Sequence, residues 1–351
     1  MSDQPVAAGQ AHTWRAPVNW PLRVGLAMLA LILLLAWAGP QIAPHDPVKP
    51  VYIVQDLETQ TFVKPPFRPG QMAGFPLGTD PLGRDTLSQI LWALRPTLVL
   101  VLVAAAVRLL LGLVIGVASG WGTGWIARLL EGVTALAVSI PVLLVALCLV
   151  AAFGPQWGVW AFILGLCLTG WAEAARMIHD QTTLVKAQPY FEAAPALGAP
   201  GLGAVGRHVL PHVLPMVWIL LPFEISTALL VTAGLGFLGY FVNAIWVPLG
   251  DWTAVRTAGK PELGQMLASG AVIVQQHPWL LLTAGATIFL LILTFNLLGE
   301  GLRRQAAPAR VRRRPGGGPS PGSGRSGSTP TRRAPSTGAA PGGRLHSGGG
   351  R

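Results

Sequence analysis

The chain alternates between long apolar stretches and polar connections, and six of the stretches approach the length that crosses a bilayer. An α-helix needs roughly 20 predominantly apolar residues to span the hydrocarbon, because every backbone group there must be paired within the segment. The stretches are Pro21–Ile42, Thr97–Val117, Val133–Phe153, Gln156–Trp171 (extending toward Ala175), Leu214–Leu238 and Trp279–Leu298. The pattern predicts an all-α integral membrane protein with six transmembrane helices.

These spans divide the chain into five predicted parts. They are a cytoplasmic N-terminal arm (1–20), the first transmembrane helix (21–42), an extracytoplasmic loop with an interfacial helix (43–96), a core with five transmembrane helices (97–300) and a disordered basic tail (301–351). In the loop, Asp85 or Thr86 is placed to cap a helix that leads into the second span. We expect that helix to lie on the outer membrane surface.

The charged residues are few, and the excess of positive charge lies at one end of the chain. Only 11% of the residues are charged, which excludes an ordinary soluble domain, where about a quarter are. The net charge of +11 arises after Glu300, where eleven arginines and no acidic residue occur, and basic and acidic residues are equal in number before that point. The tail is predicted to be disordered and to contact anionic lipid headgroups. It has no aromatic residues between its arginines, so no nucleic-acid partner is predicted.

Basic residues near the span ends predict the orientation, because cytoplasmic ends carry an excess of them. With the N-terminus in the cytoplasm, that side holds the tail together with Arg15, Arg23, Arg128, Arg176, Lys186 and Arg207. Six spans then return the C-terminus to the cytoplasm as well.

Two charges fall near the middle of predicted spans, Arg108 in the second and Glu224 in the fifth. Ionisable residues at that depth are costly and face a cavity or a partner. Both are therefore candidates for the translocation path, and an inward structural pair is the alternative. The second span also carries glycines at 112, 116 and 120, a small-residue stripe for which we expect packing within the chain.

The polar break at Glu192–Pro211 reads EAAPALGAPGLGAVGRHVLP. Glu192, Ala193 and Ala194 favour a helix, and an acid in a first turn complements the helix dipole. Gly198, with the proline and glycine that follow it, ends that helix. A second short helix is predicted over Val205–Val209 and is cut at Pro211.

This break resembles the cytoplasmic EAA loop of permease subunits of binding-protein-dependent ABC importers, departing from the common pattern in its extra prolines and glycines. In that family the loop is the surface on which an ATPase subunit docks. The resemblance therefore implies docking roles for Glu192, Ala193, Ala194, Gly198, His208, Leu210 and Pro211.

Further segments resemble the dipeptide, oligopeptide and nickel branch of these permeases, specifically its second permease. They occur in the same order and cover roughly residues 76–304; they are GTDPLGRDTLS (78–88), GLGFLGY (234–240), PELGQML (261–267) and FNLLGEGLRR (295–304). The resemblance implies a type I ABC importer transmembrane domain in a bacterial inner membrane. Its implied partners are a homologous permease, two ATP-binding subunits and an extracytoplasmic substrate-binding protein.

The implied activity is alternating-access import of di- or oligopeptides, with nickel or another small solute as the alternative cargo. The chain has no GxxxxGK[ST] phosphate-binding loop, so ATP and Mg²⁺ are expected on the ATPase partners, with no cofactor and no catalytic residue here. No metal site is predicted, since Pro211 separates His208 from His212 and no third ligand accompanies them.

Two other classes of function are less consistent with the sequence. A stand-alone secondary transporter needs ion-coupling residues and usually an internal repeat, and charges within the spans are few. An intramembrane hydrolase needs a nucleophile beside a base. No histidine is expected at membrane depth beside Ser119, Ser139 or Ser226, since His179, His208 and His212 belong to the predicted cytoplasmic loop.

Overall fold

A computed structural model describes residues 18–50, 54–55, 62–188, 203, 205–242, 244–248 and 254–306. Its helices are α1 (Trp20–Ile42), α2 (Thr86–Trp121), α3 (Trp125–Ser139), α4 (Val142–Phe153), α5 (Val159–Gly170), α6 (Ala172–Lys186), α7 (Leu210–Phe237), α8 (Leu263–Val272) and α9 (Pro278–Ala306). Two short antiparallel pairs connect them, β1 (Val54–Gln55) with β2 (Phe62–Val63) and β3 (Ala244–Pro248) with β4 (Ala254–Ala258). Almost all of the N-terminal arm and of the basic tail lies outside the described residues.

The described residues contain five helical segments long and apolar enough to span a membrane, and six if α3 and α4 count as one bent span. Helices α5 and α6 together form one of these segments, Val159–Lys186. The protein is therefore an all-α integral membrane protein, as the apolar pattern predicts.

The predicted third span, Val133–Phe153, is not one straight helix. Helix α3 ends at Ser139, α4 begins at Val142, and the two are bent by 83°. Pro141 causes the break, because it lacks a backbone N–H and disfavours helical geometry at the residue before it. Ile140 accordingly adopts an extended conformation, with φ −99° and ψ 123°.

Helix α2 also differs from expectation, because the predicted interfacial helix and the second span form one helix of 36 residues that continues through Pro96. At 1.5 Å per residue it is about 54 Å long, and the hydrocarbon is about 30 Å thick. Part of α2 therefore extends beyond the hydrocarbon.

A buried polar turn starts α2. Asp85 is the N-cap and accepts a hydrogen bond from the backbone N–H of Ser88 at 3.0 Å. The carboxylate of Asp80 accepts from Nε of Arg84 at 2.7 Å and from the side-chain amide of Gln89 at 3.1 Å. Gly78 has φ +71°, and a Cβ there would lie 2.2 Å from the carbonyl oxygen of Phe67, so only glycine fits. The segment at 78–88 thus forms a turn in which Arg84 pairs with Asp80 and Asp85 caps α2.

The glycine stripe of α2 packs against α6, which confirms the predicted packing within the chain. A Cβ at Gly112 would lie 2.9 Å from Cβ of Ala174, and one at Gly116 would lie 2.5 Å from the carbonyl oxygen of Ala175. A Cβ at Gly120 would lie 2.8 Å from Cβ of Thr182. The two helices therefore touch along three successive turns.

Glu262 is a buried carboxyl in the connection before α8, a helix too short to span a membrane. Its Oε2 accepts a hydrogen bond from the backbone N–H of Val242 at 2.9 Å, which joins the start of α8 to the segment after α7. Burial raises the pKa of Glu262 to about 8, and the Val242 hydrogen bond opposes that rise. The folded protein therefore binds a proton that the unfolded chain releases at a lower pH.

We expect this proton to make the stability of the protein depend on pH. Its contribution is complete below the ordinary glutamate pKa and is lost as pH rises toward 8, because the unfolded state binds fewer protons over that window. The loss is on the order of a few kcal/mol, since one pKa unit is about 1.4 kcal/mol. Thermal unfolding in detergent between pH 5 and 8 checks this: the Tm should fall as pH rises, and Glu262→Gln should flatten that slope. An equal slope in the variant would contradict the assignment.

Candidate functional site

The predicted docking loop lies between α6 and α7, and the structure describes only its second part. Glu192, Ala193, Ala194 and Gly198 lie outside the described residues, so their predicted helix is untested. Val205–Val209 forms a π-helical turn that contains the backbone of His208. This turn continues directly into α7.

Pro211 does not end a helix, contrary to the prediction. Leu210 is the first residue of α7, and Pro211 stands in its first turn. A proline is tolerated there because the first N–H groups of a helix have no intrahelical acceptor. The described end of the loop, from Val205 to Pro211, is therefore continuous with a transmembrane helix.

The two ends of the loop meet in one hydrophobic cluster. Val185 near the end of α6 and Val209 just before α7 are both buried, and they share the cluster with Ile178 and Val213. The end of α6 and the start of α7 therefore pack against each other on either side of the loop.

The two mid-span charges form an ion pair. Nη2 of Arg108 in α2 lies 2.9 Å from Oε2 of Glu224 in α7, with side chains 2% and 8% exposed. Gly170, at the end of α5, makes room for the guanidinium, since a Cβ there would lie 2.4 Å from Nε of Arg108. The structure shows the inward structural pair named above as the alternative. A role for either residue in the translocation path stays a prediction.

The expectation that no histidine lies beside the membrane serines is wrong for Ser119. Its Oγ lies 3.0 Å from Nδ1 of His179, and Nε2 of His179 lies 3.9 Å from Oε1 of Glu131. Although a serine, a histidine and an acid are adjacent here, Ser119 is buried in the glycine-packed contact of α2 with α6 and also donates to the carbonyl of Gly116 at 3.2 Å. The arrangement joins helices and leaves no room for a substrate at the hydroxyl.

A cavity of about 640 Å³ lies at the end of α7 farthest from the docking loop. Its largely apolar lining includes Arg84, Phe237, Phe241, Thr257 and Val272. Segments that are separate in sequence, at 80–84, 237–241 and 268–273, meet around it together with Thr257. Sequence analysis missed the cavity because no single segment contains it.

Comparison with known proteins adds independent information. Residues 112–310 match the profile of the family described as "Binding-protein-dependent transport system inner membrane component". The chain is 27% identical over 284 residues to the dipeptide transport system permease protein DppC of Bacillus subtilis, covering 81% of this chain and 80% of that protein. It is 28% identical over 284 residues to the di/tripeptide transport system permease protein DppC of Pseudomonas aeruginosa, covering 81% and 86%.

Two further similarities extend the comparison. The metal-staphylopine import system permease protein CntC of Staphylococcus aureus is 29% identical over 280 residues, covering 80% of this chain and 87% of that protein. Among solved structures, a chain of the MetNI methionine ABC transporter in an inward-facing conformation gives a TM-score of 0.48 at 18% identity. That match covers 63% of this chain and 97% of the other.

Proposed function

Because the chain belongs to the family of binding-protein-dependent transport system inner membrane components, we propose that it is the permease subunit through which an ATP-driven importer moves di- or oligopeptides across a bacterial inner membrane. The peptide cargo is inferred from one observation. The chain is similar, over 81% of its length, to permeases named for dipeptide and di/tripeptide transport. The CntC similarity makes a metal complex the second candidate cargo. Transport itself changes no bond in the cargo.

The proposed assembly contains a homologous second permease, two ATP-binding subunits that bind ATP and Mg²⁺, and an extracytoplasmic substrate-binding protein. The excess of basic residues in the tail and near the loop supports cytoplasmic termini. This orientation places the loop between α6 and α7 in the cytoplasm, where ATPase subunits reside.

The proposed mechanism is alternating access. ATP binding closes the ATPase pair and moves the loop, and the helix bundle then opens outward to accept cargo from the binding protein. Hydrolysis resets the bundle. The shared hydrophobic cluster of Val185 and Val209 and the continuity of the π-helical turn with α7 support this role, because both spans that border the loop pack together beside it.

Replacing Gly198 with tryptophan tests the docking role. We expect normal membrane insertion and a fall in ATP-dependent uptake of labelled dipeptide of at least about tenfold, equivalent to 1.4 kcal/mol of lost docking energy. Gly132→Trp on α3 is the matched control, since a Cβ there meets nothing within 4 Å, and it should transport normally. Full uptake by the Gly198 variant would count against docking at this loop.

A further inference from the structure

The cytoplasmic ends of α2 and α6 are fastened by polar contacts outside the predicted docking set. Nζ of Lys186 donates a hydrogen bond to the carbonyl oxygen of Trp121 at 2.8 Å and lies 5.6 Å from the centre of its ring. Trp121 is the last residue of α2. A cation at that position is favourable because the last carbonyls of a helix lack intrahelical donors and carry the negative end of the helix dipole.

A second contact joins α2 and α6 farther from their ends, and the contact surface between these two helices is called the seam below. The hydrogen bond between Ser119 and Nδ1 of His179 spans 3.0 Å, and the other ring nitrogen of His179 faces Glu131 on α3. The seam between α2 and α6 is therefore fastened at two levels by side chains that are 60 or more positions apart in sequence.

The glycine contacts prevent sliding between the two helices. Gly120 brings α2 so close to α6 that a Cβ would lie 2.9 Å from the carbonyl oxygen of His179. Backbones in such contact, with polar groups locked at one end, move as one body. Independent rotation of α6 would separate Lys186 from its acceptor and would press α2 against backbone atoms.

The end of the seam that contains Lys186 lies next to the start of the docking loop. Lys186 is the last residue of α6, and Glu192 follows six positions later. A displacement of the loop would therefore enter α6 at the end that carries Lys186. Helix α2 extends from this end to the buried turn at Asp85, and midway it carries Arg108, the partner of Glu224 in α7.

We propose that Lys186, together with the Ser119–His179 pair, acts as a set of positioning residues that lock α2 to α6, so that motion of the loop moves α2 and the ion pair it carries. This inference rests on the proposed function of the loop. The lysine ammonium is aimed at one carbonyl at a helix end, whereas a lysine that only extends toward headgroups has no fixed acceptor.

The test uses the whole assembly purified in lipid nanodiscs or vesicles, with Lys186→Met, which keeps the apolar stem and removes the donor. Transport of labelled dipeptide and ATP hydrolysis are measured on the same samples. We expect the subunits to co-purify normally and the amount transported per ATP to fall about tenfold, the effect of one charge-assisted hydrogen bond on an equilibrium. Lys186→Arg should keep most of the wild-type ratio of peptide transported per ATP. Ser119→Ala should lower that ratio, as Lys186→Met does.

Arg176→Met is the matched control, because it removes one exposed positive charge from the same helix, and it should keep the wild-type ratio. A lower yield of Lys186→Met assemblies with an unchanged ratio would overturn the proposal by showing that the contact serves assembly alone. An equal loss in the Arg176 control would also overturn it. If the wild-type assembly hydrolyses ATP without moving peptide, the proposal of a peptide cargo is wrong, while the coupling role of Lys186 is still open to test. The amount transported per ATP is then measured with a metal complex as cargo.

Discussion

Glu224→Gln is expected to destabilise the protein by about 3–5 kcal/mol, because it leaves the guanidinium of Arg108 buried without its counter-charge. The pair joins α2 to α7, and both side chains are nearly inaccessible. Thermal unfolding of the purified protein in detergent measures the loss. Replacing both residues, as Arg108→Met with Glu224→Gln, should recover most of the stability, since no unpaired charge remains.

Glu300→Gln provides the control for this prediction. Glu300 pairs with Arg303 and Arg304 on the surface of α9, and those arginine side chains are 68% and 58% exposed. Exposed ion pairs contribute little to stability because water and salt screen them, so this variant should unfold close to the wild type. A Glu224→Gln protein as stable as the Glu300 variant would show that the Arg108 pair is not desolvated as described.

Gly116→Leu is expected to have a comparably large effect on the α2–α6 contact. Even the first side-chain carbon would lie 2.5 Å from the carbonyl oxygen of Ala175 and 2.8 Å from Cβ of Ile178. Overpacking of this kind costs about 1–3 kcal/mol, and leucine adds three further carbons, so we expect a loss of at least about 3 kcal/mol. Thermal unfolding and the yield of folded protein measure it.

Gly132→Leu is the matched substitution in open space on α3. Glycine in a helix interior is roughly 0.8–1 kcal/mol less favourable than alanine, and leucine ranks next to alanine, so the control should be as stable as the wild type or slightly more stable. Equal behaviour of the two leucine variants would mean that α2 and α6 do not pack through glycine as the structure shows.

The features that local physics determines were predictable from the sequence. The long apolar stretches identify the membrane helices because lipid excludes unpaired backbone. Asp85 was recognised as a possible cap because a carboxylate before an apolar run satisfies orphan N–H groups. The glycine stripe predicted a close helix contact, although only the structure identifies α6 as the partner.

Features that depend on the relative placement of distant helices were not predictable. Ser119 and His179 are 60 positions apart, and only the register of α2 against α6 joins them. The pairing of Arg108 with Glu224 was one of two open interpretations, since the sequence does not show which way either helix faces. Pro141 was a recognisable helix breaker, yet its effect was missed because the surrounding residues are uniformly apolar and satisfy a hydropathy criterion whether or not the helix bends.

The proposed function requires that this chain be a membrane-embedded subunit of an importer whose motor is a separate protein. The most direct measurement is a pull-down of the tagged chain from its native membrane in a gentle detergent, with mass spectrometry of the accompanying proteins. The account predicts recovery of two ATP-binding subunits, a homologous permease and an extracytoplasmic binding protein. Recovery of the chain alone, even after cross-linking, would contradict it.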